Sequence, residues 1–186
     1  MGIIELGVKM SFEENMKHKP TAAYNDLIYK TECELKPKMS LEIGSAWGVS
    51  THAILKAGGS LVSVDKEDWP DMRTAVKLLK AESRHAFVKG DSLEVVPKLA
   101  QRFDFAFIDG SHIQHYPARD MRNAWELLKV GGNMLCDDIW HEHCYTDKEW
   151  EGHYTTGEDF FSFLIDYDLE ARVIPRSSGF GLVQKK

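Results

Sequence analysis

The chain has 186 residues, of which 43% are hydrophobic and 28% charged, with a formal net charge of −6. This length and composition predict one globular domain, and the acidic balance disfavours nucleic-acid binding, which needs clustered basic residues. No apolar stretch reaches the length of a membrane span, the N-terminus lacks signal-peptide architecture, and the three cysteines share no C-x-x-C spacing, so we expect a cytoplasmic protein with reduced thiols.

Segments with strand character alternate with segments of helical spacing. This alternation predicts a doubly wound, mostly parallel α/β sheet with helices on both faces. Because the PRSSG connection is too short for a crossover, the last two strands are predicted to be antiparallel. The predicted strands are Met39–Ile43, Ser60–Asp65, Ala86–Lys89, Phe103–Ile108, Asn133–Cys136, Glu170–Ile174 and Phe180–Gln184, and the predicted helices are Thr21–Leu35, Val49–Lys56, Met72–Ser83, Leu93–Leu99, Tyr116–Leu128 and Asp159–Ile165.

The chain divides into two parts by this pattern. Residues 1–38 are predicted as an N-terminal helical segment, and residues 39–186 as the main domain. For residues 1–19, a frayed terminus and a lid that closes on a ligand both fit the weak pattern.

A strand, a glycine turn and a helix follow one another in Met39–Leu55, MSLEIGSAWGVSTHAIL. Gly44 and Gly48 allow a sharp turn and a close approach of the backbone to a ligand. The order is typical of the nucleotide-binding corner of an open α/β sheet. A tight turn without a ligand is the alternative interpretation.

Acidic residues stand at or just past the ends of the predicted parallel strands. Ligands of open parallel sheets bind beyond the carboxyl ends of the strands, so these acids are predicted to converge on one crevice. Each of them alone could instead cap a helix or a turn. The acids are Glu42, Asp65, Asp91, Asp109, and the pair Asp137 and Asp138.

Two of these acids suit a nucleoside. Asp65 ends the second strand about 20 residues after the glycine turn, where a carboxylate binds ribose hydroxyls. Asp91, followed by Ser92, is placed to accept from an exocyclic amine such as that of adenine. The N-cap of the next helix is an equally good role for Asp91 and does not exclude the first.

Five segments together resemble the class I S-adenosylmethionine-dependent methyltransferases: LEIGSAWGVST, VSVD, GDS, FDFAFIDGSH and LLKVGGNMLCDDI. The particular resemblance is to metal-dependent small-molecule O-methyltransferases of the catechol group and the macrocin and mycinamicin sugar group. It covers Met39 to Asp138. It implies a Rossmann-like sheet of seven strands, with Glu42, Gly44 and Ser45 at the methionine part of the cofactor. Trp47 departs from the small residue common in that loop.

Asp109, Asp137 and Asp138 form a candidate metal site. Three carboxylates from neighbouring strand ends suit Mg²⁺, which keeps several waters and needs few protein ligands. A metal-bound hydroxyl loses its proton more easily and is held for attack on the sulfonium methyl. The alternative is that Asp137 and Asp138 only cap a loop.

His112, three residues after Asp109, is the candidate general base. It resembles the base of the sugar O-methyltransferases, and a histidine is the natural proton acceptor near neutral pH. The alternatives are an ordinary surface histidine in this loop and a second candidate base, His115.

Residues 139–157 are predicted to select the acceptor, with Trp140 and His141 at the wall of its pocket. A zinc site built from His141, His143, Cys144 and His153 is disfavoured, because structural zinc sites need a different ligand spacing.

The sequence therefore predicts an O-methyltransferase that uses S-adenosylmethionine and Mg²⁺ on a small hydroxylated acceptor, and it leaves the oligomeric state open. A non-catalytic binding module and a metal-dependent hydroxylase of related fold remain alternatives. An NAD oxidoreductase is disfavoured because the turn lacks the G-x-G-x-x-G pattern.

Overall fold

The strands of the computed structural model, which describes residues 12–17, 19–113, 115–140, 155–175 and 178–186, form one sheet. Its spatial order is β3-β2-β1-β4-β5-β7-β6. Strands β1 to β5 are parallel, and β7 is antiparallel to both of its neighbours. The predicted α/β sheet of seven strands, mostly parallel and with an antiparallel C-terminal strand, is confirmed. The strands are β1 (Met39–Ile43), β2 (Ser60–Asp65), β3 (His85–Lys89), β4 (Phe103–Ile108), β5 (Leu128–Cys136), β6 (Ala171–Ile174) and β7 (Phe180–Gln184).

Helices cover both faces of this sheet, and the sheet separates two hydrophobic clusters. One cluster joins α2, α3 and α4 to the face of β4 that carries Phe105 and Phe107. The other joins α6 and α7 to the opposite face, which carries Leu41 and Ile43 of β1. The helices are α1 (Phe12–Lys17), α2 (Lys19–Leu35), α3 (Val49–Ala57), α4 (Pro70–Leu78), α5 (Ser92–Val95), α6 (Tyr116–Leu127) and α7 (Thr156–Asp166).

Two predicted helices differ from the observed ones for local reasons. The helix predicted at Leu93–Leu99 is split into α5 and a 3₁₀ turn over Val96–Lys98, since Pro97 has no N–H to continue the α-helical pattern. The helix predicted at Met72–Ser83 begins earlier, at Pro70, and ends at Leu78. Beyond it, Lys80 adopts a left-handed conformation with φ 50°.

Strand β5 begins five residues before the predicted Asn133, at Leu128. Leu128 pairs with Phe103, and the register then shifts before Asn133 pairs with Phe105. Gly131, with φ 82°, lies in this irregular stretch, where glycine is favoured. Gly131 and Gly132 are therefore part of an irregular strand.

Helix α2 belongs to the core of the domain, because its Ile28 is fully buried among residues of α3 and β4. The division at residue 38 stays a prediction, and residues 1–11 lie outside the described part of the chain. Among the described helices, none is both long and apolar enough to cross a membrane.

Candidate functional site

The glycine turn after β1 is packed against the end of β4. Gly44 has φ 89°, and a Cβ added there would lie 2.0 Å from the carbonyl oxygen of Asp109. Its N–H donates to the carbonyl of Val64 at 2.9 Å, while the N–H of Asp109 donates to the carbonyl of Ile43 at 2.9 Å. Only glycine fits this position, and the three strand ends of β1, β2 and β4 meet there.

Asp65 binds the backbone of this turn. Its Oδ2 accepts from the N–H groups of Ser45 and Ala46, each at 2.9 Å. Its Oδ1 accepts from the indole Nε1 of Trp69 at 3.3 Å. The carboxylate at the end of β2 therefore fixes the turn that follows β1.

A cavity of about 210 Å³ opens at these strand ends. Asp65 and Asp109 both line it, as the sequence predicted, together with Gly44, Ser92 and Tyr116. Of the six acids predicted to converge on one crevice, Asp65 and Asp109 line this cavity, while Glu42, Asp91, Asp137 and Asp138 do not.

Asp91 is the N-cap of α5, because its Oδ1 accepts from the N–H of Leu93 at 3.0 Å. Its Oδ2 accepts from the Tyr116 hydroxyl at 2.7 Å and lies 3.0 Å from Nζ of Lys66. Tyr116 and Lys66 line the cavity beside the neighbouring Ser92. The capping role proposed from sequence is thus present, and it places Asp91 behind the residues that face the cavity.

Glu42 is fully buried on the α2 and α3 side of the sheet. Its Oε2 accepts from Thr51 at 2.8 Å and from Ser63 at 2.5 Å, and Oε1 has no hydrogen-bond partner among the described atoms. Burial raises the pKa of Glu42 to about 7. Glu42 lines neither of the two cavities at this edge, so it lies behind the turn rather than on its surface.

A second cavity, of about 390 Å³, lies next to the first. Both are lined by Gly44, Ala46 and Asp109, so they share a wall. The second cavity is also lined by Trp47, whose surface is 57% exposed. Its other lining residues include Thr21, Tyr24, His112, Asp137, Asp138 and Ser178.

Asp109, His112 and Asp138 form a group able to hold a metal ion. One ligand atom from each lies within 4.8 Å of the others. Nε2 of His112 is 2.6 Å from Oδ2 of Asp138 and 3.9 Å from Oδ1 of Asp109. The loop after β4 and the end of β5 supply these side chains, so the fold brings together residues that are distant in sequence.

Asp137, predicted as a third metal ligand, is not in this group. Its Oδ1 accepts from the N–H of Asp138 at 2.7 Å and from Ser178 at 3.3 Å. Asp138 itself has φ 56°, a left-handed conformation that aspartate tolerates better than most residues. The two neighbouring carboxylates therefore differ in their surroundings, and only that of Asp138 lies in the group with Asp109 and His112.

The electrostatics of the cluster suit a cation. Burial, together with the charges of Asp137 and Asp138, raises the pKa of Asp109 well above its ordinary value. Burial and the charge of Asp138 raise the pKa of Asp137 to about 7. Crowded, partly buried carboxylates repel one another, and a bound cation would relieve that repulsion. The carboxylates of Asp109 and Asp138, with the His112 imidazole beside them, therefore form an acidic site that fits a divalent metal ion.

Two contacts at this site were not anticipated from the sequence. Tyr24 of α2 donates a hydrogen bond from its hydroxyl to Oδ2 of Asp109, and the Ser178 hydroxyl donates one to Asp137.

Trp140 packs against Gly179 and does not line the second cavity, contrary to its expected place in the acceptor wall. His141 and the other candidate zinc ligands beyond it lie outside the described residues.

Comparisons with known proteins agree with this architecture. The model of a family described as "Methyltransferase domain" matches residues 41–139. A curated relative, O-methyltransferase hkm8 of Aspergillus hancockii, is 29% identical over 109 residues, which are 55% of this chain and 43% of that protein. The chain thus spans less than half the length of this relative.

Solved structures share the fold. The S-adenosylhomocysteine-bound methyltransferase PaMTH1 of Podospora anserina superposes with a TM-score of 0.73 at 20% identity, covering 94% of this chain and 86% of that one. The O-methyltransferase TomG of Streptomyces achromogenes, solved with S-adenosylmethionine, gives 0.76 at 20% identity, covering 97% and 92%.

Proposed function

We propose that this chain, which belongs to the methyltransferase-domain family, transfers a methyl group from S-adenosylmethionine to a hydroxyl group of a small molecule, assisted by a divalent cation. The observation that carries the proposal is the shared wall of the two cavities at Gly44 and Asp109. One cavity has the polar groups for a nucleoside, and the other has the acidic cluster. A donor and an acceptor bound there would meet at that wall.

The first cavity is assigned to the donor. Asp65 lies at the end of β2, where a carboxylate binds ribose hydroxyls, and Ser92 and Gly90 line the far end expected for adenine. Gly44 would lie along the methionine part, whereas Ser45, predicted for the same part, lines the second cavity instead. Glu42 would support the glycine turn from behind, through the hydrogen bond of its buried carboxyl group with Thr51. Asp91 would support the adenine end of the cavity by holding Tyr116 and the start of α5.

The second cavity is assigned to the acceptor and the cation. Asp109 and Asp138 would hold the cation, with Asp137 supporting them through its bond to the N–H of Asp138. A divalent cation bound there, Mg²⁺ in our proposal, would lower the pKa of an acceptor hydroxyl and fix its direction.

His112 is assigned as the general base. It lies in the second cavity, and its Nε2 is bound to Asp138, which would stabilise the protonated ring. In the proposed step the acceptor O–H gives its proton to His112, a new O–C bond forms with the methyl carbon, and the C–S bond breaks. The electron pair of that bond returns to sulfur, which leaves a neutral thioether.

The acceptor is proposed to be a small hydroxylated molecule. The second cavity is of a size suited to a small molecule, and the exposed indole of Trp47 offers it a flat apolar surface.

A methyl-transfer assay tests the proposal. The chain is incubated with S-adenosylmethionine and a panel of catechols, phenols and sugars, with Mg²⁺ or with a chelator, and the release of S-adenosylhomocysteine is measured. We expect release that depends on a hydroxylated acceptor and falls with chelator. Equal release with chelator would remove the cation from the mechanism. Donor binding without transfer to any acceptor would favour the non-catalytic binding module.

A further inference from the structure

Tyr24 connects the N-terminal helix α2 to the acidic cluster. Its hydroxyl donates to Oδ2 of Asp109 at 2.5 Å, across 85 positions of the chain. The ring is held by edge-on contact with Phe107 at 6.3 Å and by tilted contact with Phe180 at 5.7 Å between ring centroids. Tyr24 also lines the second cavity.

We infer that Tyr24 is a positioning residue that decides which oxygen of Asp109 is offered to the cation. Oδ2 is engaged by the hydroxyl, whereas Oδ1 is the oxygen that lies 3.9 Å from Nε2 of His112. Tyr24 therefore directs Oδ1 towards the centre of the cluster. This inference rests on the cation part of the proposed function.

The Tyr24 hydroxyl is held in place because α2 is packed against the core. One turn beyond Tyr24, Ile28 is fully buried in the core. Next to Tyr24, Asn25 donates from Nδ2 to the carbonyl of Val49 at 2.8 Å, which ties α2 to the start of α3. A donor on such a rigid support keeps the carboxylate in one orientation, which is how residues behind metal ligands act in general.

The inference also gives the segment before residue 39 a defined role. The matched family region is residues 41–139, and Tyr24 lies before it. The cluster is therefore completed by a helix that lies outside that region.

The test compares Tyr24→Phe with Tyr29→Phe, a matched variant on the same helix. Tyr29 has Nζ of Lys56 over its ring at 4.7 Å and lines neither cavity. Each purified chain is titrated with Mn²⁺ alone, free Mn²⁺ is followed by electron paramagnetic resonance, and the spectrum of the bound ion is recorded. Thermal unfolding without metal and binding of S-adenosylhomocysteine are measured on the same samples.

We expect Tyr24→Phe to weaken Mn²⁺ binding by about 10-fold or more and to alter the spectrum of the bound ion, since residues behind metal ligands commonly act at that scale. The metal concentration for half-maximal activity should rise by a similar factor, with little change in kcat at saturating metal. Tyr29→Phe should match the wild type in all of these measurements.

Two results would overturn the inference. One is a Tyr24→Phe chain that binds Mn²⁺ with wild-type affinity and an unchanged spectrum. The other is a wild-type chain that binds no Mn²⁺ at all, which would leave donor binding and methyl transfer to be judged separately by the product-binding measurement and the transfer assay.

Discussion

Nε2 of His112 and Oδ2 of Asp138 lie 2.6 Å apart, so an imidazole from the loop after β4 and a carboxylate from the end of β5 share one contact. The pair places the proposed base and a proposed metal ligand at the same point of the second cavity. The two roles are separable by experiment, because a base acts on the rate and a ligand acts on metal affinity.

Replacing His112 tests its role as base. We expect His112→Gln to lower methyl transfer by about 10²- to 10⁴-fold while Mn²⁺ affinity stays near that of the wild type. His115→Asn is the control, since His115 has φ 77° and asparagine tolerates this conformation. A parallel fall in Mn²⁺ affinity would make His112 a ligand instead.

The two adjacent aspartates should differ in their effect on metal binding. Asp138→Asn is expected to weaken Mn²⁺ binding by at least about 10-fold, and Asp137→Asn by less, because only Asp138 belongs to the cluster. Asparagine is chosen because Asp138 has φ 56°. Calorimetry with Mn²⁺ measures both, and binding of S-adenosylhomocysteine should stay nearly unchanged. A larger effect of Asp137→Asn would restore the ligand set expected from the sequence.

Glu32 should make the chain less stable as pH rises. Burial raises its folded pKa from 4.5 to about 8, and among the described residues only the Ser40 hydroxyl donates a hydrogen bond to its carboxyl group. The folded state therefore holds a proton that the unfolded state loses, so the free energy of unfolding is highest below pH 4.5 and falls until about pH 8.

Glu32→Gln should remove this loss, since glutamine resembles the neutral acid. We expect the variant to match the wild type near pH 4.5 and to exceed it by on the order of a few kcal/mol at about pH 9. Urea unfolding at both pH values provides the measurement. The control is Glu34→Gln, an exposed position on the same helix. A constant difference at both pH values would contradict the assignment of Glu32.

Gly44 and Gly58 form a matched pair for testing the glycine turn. Both have left-handed φ, 89° and 108°, but a Cβ meets the Asp109 carbonyl only at Gly44 and meets nothing within 4 Å at Gly58. We expect Gly58→Ala to cost about 1 kcal/mol of stability. Gly44→Ala should cost several times more and abolish binding of S-adenosylhomocysteine. Equal costs would show that the contact with Asp109 is unimportant.

The strands that position the site could be predicted because their sequence pattern reflects burial. Met39–Ile43 and Phe103–Ile108 have the predicted bounds, since both are apolar runs between breaks in the pattern. Because β2 and β4 were predicted to be parallel strands of the same sheet, Asp65 and Asp109 at their carboxyl ends were expected to lie at the same edge.

The contacts within the cluster could not be predicted in the same way. Tyr24 reaches Asp109 because α2 packs across the sheet, and no local pattern encodes a contact over 85 positions. Asp137 and Asp138 are neighbours in sequence, and the backbone conformation of Asp138 decides which of them faces His112. The residue types were therefore predictable, while their orientations depend on tertiary packing.

The measurement that tests the central claim most directly is calorimetric titration of the purified chain with S-adenosylhomocysteine and, separately, with NAD. Our account predicts that S-adenosylhomocysteine binds at one site per chain, that Asp65→Ala weakens this binding strongly, and that NAD gives no binding heat. Binding of NAD in place of S-adenosylhomocysteine would contradict the account.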